Sequence, residues 1–238
     1  MSNVRISRVN WQQAVTEFVV IVFGVLAAFA VDEWRSERED RITEYEYLAR
    51  IRADIQSDID NFKRLEGVFQ SKADTIKYLK DHPDSDLMSR DPSKLMEGLN
   101  RSSYVALPDS RSTTFDELMS TGRLALIENV EQRDALSRYY SGFEHISAIL
   151  FDPVGDYRRL LFETFQPELL ERSRLTGNLV EFSDIQSDLE SLMSHPDFLP
   201  AANAEIVYAN SLLYYLEQYR KQAEQLLDLL SAQHLENQ

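Results

Sequence analysis

One stretch limits what this chain can become. Phe18 to Val31 reads FVVIVFGVLAAFAV, fourteen residues without a polar side chain. Ala14, Val15 and Thr16 extend it upstream, and Glu17 is the one charge within residues 14–31. As a helix, Ala14 to Val31 spans about 27 Å, close to the hydrocarbon thickness of a bilayer. The flank that follows, DEWRSEREDR, is as polar as the run is apolar. A buried helix of a globule seldom ends in so abrupt a change, so the pattern predicts a transmembrane helix over 14–31. A cleavable signal peptide is the competing reading, because Ala28-Phe29-Ala30 has the small-x-small form and two Arg precede the run. The long region before the run and Glu17 within it argue against cleavage.

The two Trp residues of the chain bracket this segment. Trp11 precedes it and Trp34 follows it, as suits rings anchored at the two membrane–water interfaces. Glu17 needs a reason, because an acid in hydrocarbon is costly. At 100° per residue Glu17, Gly24 and Ala28 fall within about 20° of one line. Gly24-x-x-x-Ala28 is a small-xxx-small pair that admits a second helix, and an acid on the same line can hydrogen-bond to it. The plainer alternative is a Glu reaching the headgroups beside small residues that membrane helices commonly carry. The line therefore marks a candidate contact with a membrane-protein partner, or with a second copy, within the lipid bilayer.

Beyond the membrane segment the chain is acidic. The formal net charge is -15; residues 1–31 hold two Arg and one Glu, a net +1, which leaves the remainder at -16. Phosphate backbones repel such a domain, so nucleic-acid binding is not expected. The chain has no Cys, which excludes disulfides, Cys-ligated zinc and thiol chemistry. Seven Gly and seven Pro are too few for an all-β chain rich in turns.

From Asp32 to Lys80 there is no Pro. Tyr45, Leu48, Ile51, Ile55, Ile59, Phe62, Leu65, Phe69, Ala73, Ile76 and Leu79 recur in steps of three or four, the mark of one helix face. Trp11 to Leu79 thus reads as one helix of roughly 100 Å. The first break falls at Asp81 to Pro92. Asp84-Ser85-Asp86 lacks the Gly and the downstream Glu of a calcium loop. A short helix over Ser93 to Leu99 follows. Thr114 with Glu117 has the capping-box form, and Gly122 suits a helix stop. Asn129 caps a helix to about Phe151, with Val130, Leu136, Tyr140, Phe143 and Ile146 or Ile149 inward. Val154 to Phe165 is a further helix, and Gly177 to Phe182 is turn-like. Ser183 or Asp184 caps a helix to Ser194, and His195-Pro196 with Pro200 makes a loop. The last helix, Ala202 to Ala232, shows Ile206, Ala209, Leu213, Leu216, Tyr219, Ala223, Leu226 and Leu230 on one face. It has the length to lie antiparallel along the first.

No catalytic pattern survives inspection. None of His82, His145, His195 and His234 has an acid three residues before it, which rules out a bundle di-iron site. Zinc spacing, a phosphate loop and a nucleophile elbow are absent. Asp58 and Asp60 lie two apart, point apart on a helix, and read as a solvated face. No cofactor and no metal site is expected, and the chain reads as a non-enzyme.

Two segments carry a resemblance. Glu17, Gly24-Val25, Ala27-Ala28 and Asp32-Glu33-Trp34 lead into Arg35, Glu37, Arg38 and Glu44-Tyr45-x-Tyr47-Leu48. Later come Phe115-Asp116-Glu117-Leu118, Ser120-Thr121-Gly122, Leu126-Ile127-x-Asn129, Leu136 and Tyr139-Tyr140. Together they resemble a family of bacterial single-pass membrane proteins known only as a domain of unknown function. The resemblance implies a bacterial inner-membrane protein with a helical soluble part. It carries no activity and no catalytic residue.

The expected architecture is all-α: a tail (1–13), a transmembrane helix (14–31) and an acidic helical-bundle domain (32–238). The expected function is that of an accessory, scaffold or assembly subunit of a membrane complex. The alternative is a sensor whose helical domain binds a ligand and signals through a partner. Arg35, Arg38 and Arg41 slightly outnumber Arg5 and Arg8, which favours a cytoplasmic domain by count. Five acids interleave with those three Arg, and a short basic tail before an uncleaved run acts as a signal anchor. The domain is therefore expected in the periplasm, with the opposite orientation kept open.

Overall fold

The computed structural model describes residues 11–82, 91–149, 155–165 and 181–232. Expectations for the tail before Trp11, for Asp84-Ser85-Asp86 and for most of Gly177 to Phe182 lie outside these residues, as do the side chains of Ile146 and Ile149. The described elements are helical, with no strand among them. In chain order they are α1 (Trp11–Asp81), α2 (Pro92–Ser102), α3 (Thr113–Ser120), a 3-10 turn (Arg123–Leu126), α4 (Val130–Ile149), α5 (Gly155–Thr164), α6 (Phe182–Ser194) and α7 (Phe198–Ala232).

The spine is α1 paired with α7. At 71 residues α1 rises about 107 Å without a break. Its pairing with α7 is antiparallel. Arg52 donates to the carbonyl of Leu230 at 3.2 Å, Arg220 reaches Glu66 at 2.9 Å, and Lys80 reaches Asn203 at 3.3 Å. As α1 advances, its partners on α7 fall in number. The stripe read from the sequence is the buried face, with Ile51, Ile55, Phe62, Phe69 and Ile76 wholly enclosed. Its start differs: Tyr45 is exposed and Tyr47 is buried in its place.

Two cores share this spine. The nearer one joins Tyr47 to Ala73 of α1 with α3, α4 and the Tyr208–Leu230 part of α7. The farther one joins Ile76 and Leu79 with α2, α5, α6 and the start of α7. Apolar steps of three and four on each helix leave one face to bury, and the spine offers a long surface on which to bury it.

The helix ends show which local signals prevailed. Asp91 caps α2 by accepting from the amide of Lys94 at 3.0 Å, with Pro92 at the first helical position. Asn129 caps α4 through the amide of Gln132 at 3.1 Å. Gly122 takes φ 69°, the left-handed conformation that closes α3. The expected capping box at Thr114 does not form. Ser112 stands at the cap position, and Thr114 lies inside the helix, where its hydroxyl donates to Asp54 at 2.5 Å. Glu181, not Ser183 or Asp184, precedes α6. Pro200 falls in the first turn of α7, where its missing N–H costs nothing. Val130 is exposed rather than inward.

Candidate functional site

The apolar segment is bare. From Val15 to Ile42 every residue of α1 is exposed, and Phe18, Phe23 and Phe29 are each more than two-thirds exposed. An exposed apolar surface of this size on one helix is what a lipid or protein environment covers. This helix is long and apolar enough to cross a membrane. Trp11 and Trp34 are both exposed. They lie 23 residues apart, about 35 Å along the axis, a separation slightly longer than a hydrocarbon layer of about 30 Å. Arg38 lies over the Trp34 ring at 5.8 Å, and Arg35 pairs with Glu39 at 2.9 Å.

Because α1 is continuous, Glu17, Gly24 and Ala28 share one side of one helix. All three are exposed, and a Cβ at Gly24 would meet nothing within 4 Å.

Inside the domain, charges sit on the apolar faces. Lys72 and Glu205 form an ion pair in which each side chain is 1% exposed. Lys72 also donates to the carbonyl of Tyr104 at 2.9 Å. Its ammonium lies 5.7 Å from the Phe69 ring and 5.8 Å from the Tyr208 ring. One buried cation thus joins α1, α7 and the connector that leaves α2.

About four turns back on the spine stands a second cluster, and it corrects an expectation. Asp58 is 2% exposed, not solvated; only Asp60 is exposed. Asp58 accepts from the Arg111 amide and from the Tyr139 hydroxyl, each at 2.9 Å. Burial is the main cause that pushes its carboxyl up to about 6, and nearby Asp54 adds to it; the two hydrogen bonds act the other way. Burial also raises the Tyr139 and Tyr140 phenols, so both stay protonated. The Tyr140 hydroxyl is buried, with no hydrogen-bond partner among the described residues.

The connector, α3 and α4 enclose an open cleft of about 900 Å³, with Leu107, Pro108, Phe115, Met119 and Tyr140 in its lining. Nearer the apolar end of α1, Glu117 ties α3 to the spine through Tyr47 at 2.8 Å and Arg50 at 2.7 Å. These two partners lower the Glu117 carboxyl. Among the described residues no three His, Asp or Glu side chains are grouped to hold a metal ion. The two buried clusters tie helices together: Lys72 joins α1 to α7, and Asp58 joins α1 to α4 and to the connector before α3.

Comparison with protein-family models, with curated proteins and with solved structures finds no match for this chain.

Proposed function

We propose that this chain is a single-pass membrane protein that acts without catalysis, as an accessory, scaffold or assembly subunit of a membrane complex. The observation that supports it is the bare apolar segment at one end of a helix whose other end is the spine of a packed domain. Such a chain places a domain at a fixed distance from a bilayer. In this reading the Glu17, Gly24 and Ala28 line receives the partner helix, and the protein resides in a bacterial inner membrane with its domain in the periplasm.

The absence of Cys makes the test clean. Single substitutions Gly24→Cys, Ala28→Cys and Leu26→Cys place a thiol on the line or on the opposite side. Oxidative and bifunctional cross-linking in native membranes should give adducts at 24 and 28 and none at 26, with mass spectrometry identifying the partner. A lone monomer, with no adduct at any of the three positions, overturns the proposal. Labelling a Cys at exposed Asp60 with an impermeant maleimide in intact spheroplasts tests the side: labelling supports the periplasm, and protection refutes it.

A further inference from the structure

Between the apolar run and the bundle, α1 continues for about three turns, residues 32–42, in which every residue is exposed. Charge is sorted by side along this stalk. At 100° per residue, a sector about 100° wide holds Val31, Trp34, Arg38, Arg41, Ile42 and Tyr45 and none of the seven acids from Asp32 to Glu46. Val31, Trp34, Ile42 and Tyr45 are each more than half exposed. Two of the stalk's bases are answered within the chain, Arg35 by Glu39 at 2.9 Å and Arg41 by Glu128 at 3.3 Å. Arg38, at the middle of the sector, pairs with no carboxylate among the described residues. Its guanidinium lies over the Trp34 ring at 5.8 Å. A guanidinium held over a ring face keeps its N–H edge for a carboxylate.

We infer that this side of the stalk docks an acidic amphipathic helix of another membrane-anchored protein. Apolar side chains of that helix cover Trp34 and Ile42, and one of its carboxylates meets Arg38. The inference rests on the membrane-anchored reading above and names the chemistry of the partner just outside the bilayer.

Charge and distance select this occupant. A second copy, anchored in the same bilayer at the same depth and facing this side, brings Arg38 against Arg38, and like charges across an interface cost free energy. Lipid headgroups extend only about 5–8 Å beyond the hydrocarbon. Ile42 stands eight residues past Trp34, about 12 Å along the axis, and so lies beyond them. A helix that carries both carboxylates and an apolar face answers the unpaired cation and its exposed flanks together.

The test uses the full chain in native membranes, with a photoactivatable benzophenone maleimide on one introduced Cys. Ile42→Cys should give a protein adduct on irradiation. Asp40→Cys, exposed on the far side of the stalk, should give none. Mass spectrometry should place the cross-link in an Asp- or Glu-bearing stretch beside a transmembrane segment of a different protein. Arg38→Glu should cut the Ile42→Cys adduct about tenfold, and Arg38→Lys should keep most of it. Arg38 is exposed and belongs to neither core, so both variants should melt as the unsubstituted chain does. An adduct to a second copy, an adduct to lipid alone, equal adducts at 40 and 42, or an adduct indifferent to Arg38→Glu overturns the inference. No adduct at 42 beside a persisting one from Gly24→Cys overturns it and leaves the membrane contact standing. Loss at both positions overturns the membrane contact as well.

Discussion

Removing Lys72 strands its partner. In Lys72→Met the side chain keeps its length and loses its charge, and Glu205, 1% exposed, loses this ion pair. Breaking a buried pair from one side costs about 3–5 kcal/mol. The Tyr104 carbonyl loses its donor as well, worth about 1 kcal/mol if water replaces it and more if not. Against a domain stability of about 5–15 kcal/mol this is a large fraction. For a domain of this size it lowers the melting temperature by roughly 10 °C. The double variant Lys72→Met/Glu205→Leu should recover most of that loss, because two apolar side chains fill the same space with no charge to desolvate. Circular dichroism melts of the four proteins in one detergent complete a double-mutant cycle. A neutral Lys72→Met, or a double variant as weak as the single, would refute the reasoning. Either result would mean that the pair is hydrated and not a buried anchor.

Three further outcomes are expected. Gly98 of α2 packs against Thr75, where an added Cβ would press on its hydroxyl and lie 3.0 Å from its methyl carbon. Gly98→Ala should therefore cost about 1–3 kcal/mol by urea titration, and Thr75→Ala in the same chain should relieve it. Gly122→Ala should cost about 1–2 kcal/mol although the site is open, because φ 69° disfavours a side chain. Glu17→Gln should keep the Gly24→Cys cross-links if the acid serves as a hydrogen-bond donor or acceptor, and Glu17→Leu should lose them, as read on non-reducing gels.

The sequence made the helices legible and misplaced the charges. The α1 stripe from Ile51 to Leu79 needed only steps of three and four, since burial of one face is what keeps so long a helix in place. Lys72 lies on that stripe, between Phe69 and Ile76, and Asp58 lies between Ile55 and Phe62. On α7, Glu205 falls between Ala202 and Ala209. A polar residue on an apolar face is the readable sign of a buried partner, but the partner itself is distant in sequence. Asp58 was expected in solvent because it was paired with its neighbour Asp60 rather than placed against Ile55 and Phe62. Tyr45 gave way to Tyr47 because Glu117, seventy residues on, accepts the Tyr47 hydroxyl. Thr114 lost its cap role to a like cause: Asp54 took its hydroxyl. Local capping rules fail where a tertiary acceptor offers a shorter bond. The apolar run of 14–31 was legible as a bare helix for the opposite reason, since its described residues from Val15 onward are all exposed.

An unbroken α1 also fixes a phase. In the proposed reading, whatever azimuth the Glu17, Gly24 and Ala28 line takes up against a partner sets that of the bundle, with no joint in α1 to absorb a difference. One residue inserted between Arg35 and Asp40 would turn the domain by about 100° and lift it about 1.5 Å; seven residues would return it to within about 20°. Partnership in the membrane should survive both changes. A task that depends on which way the domain faces should survive only the second.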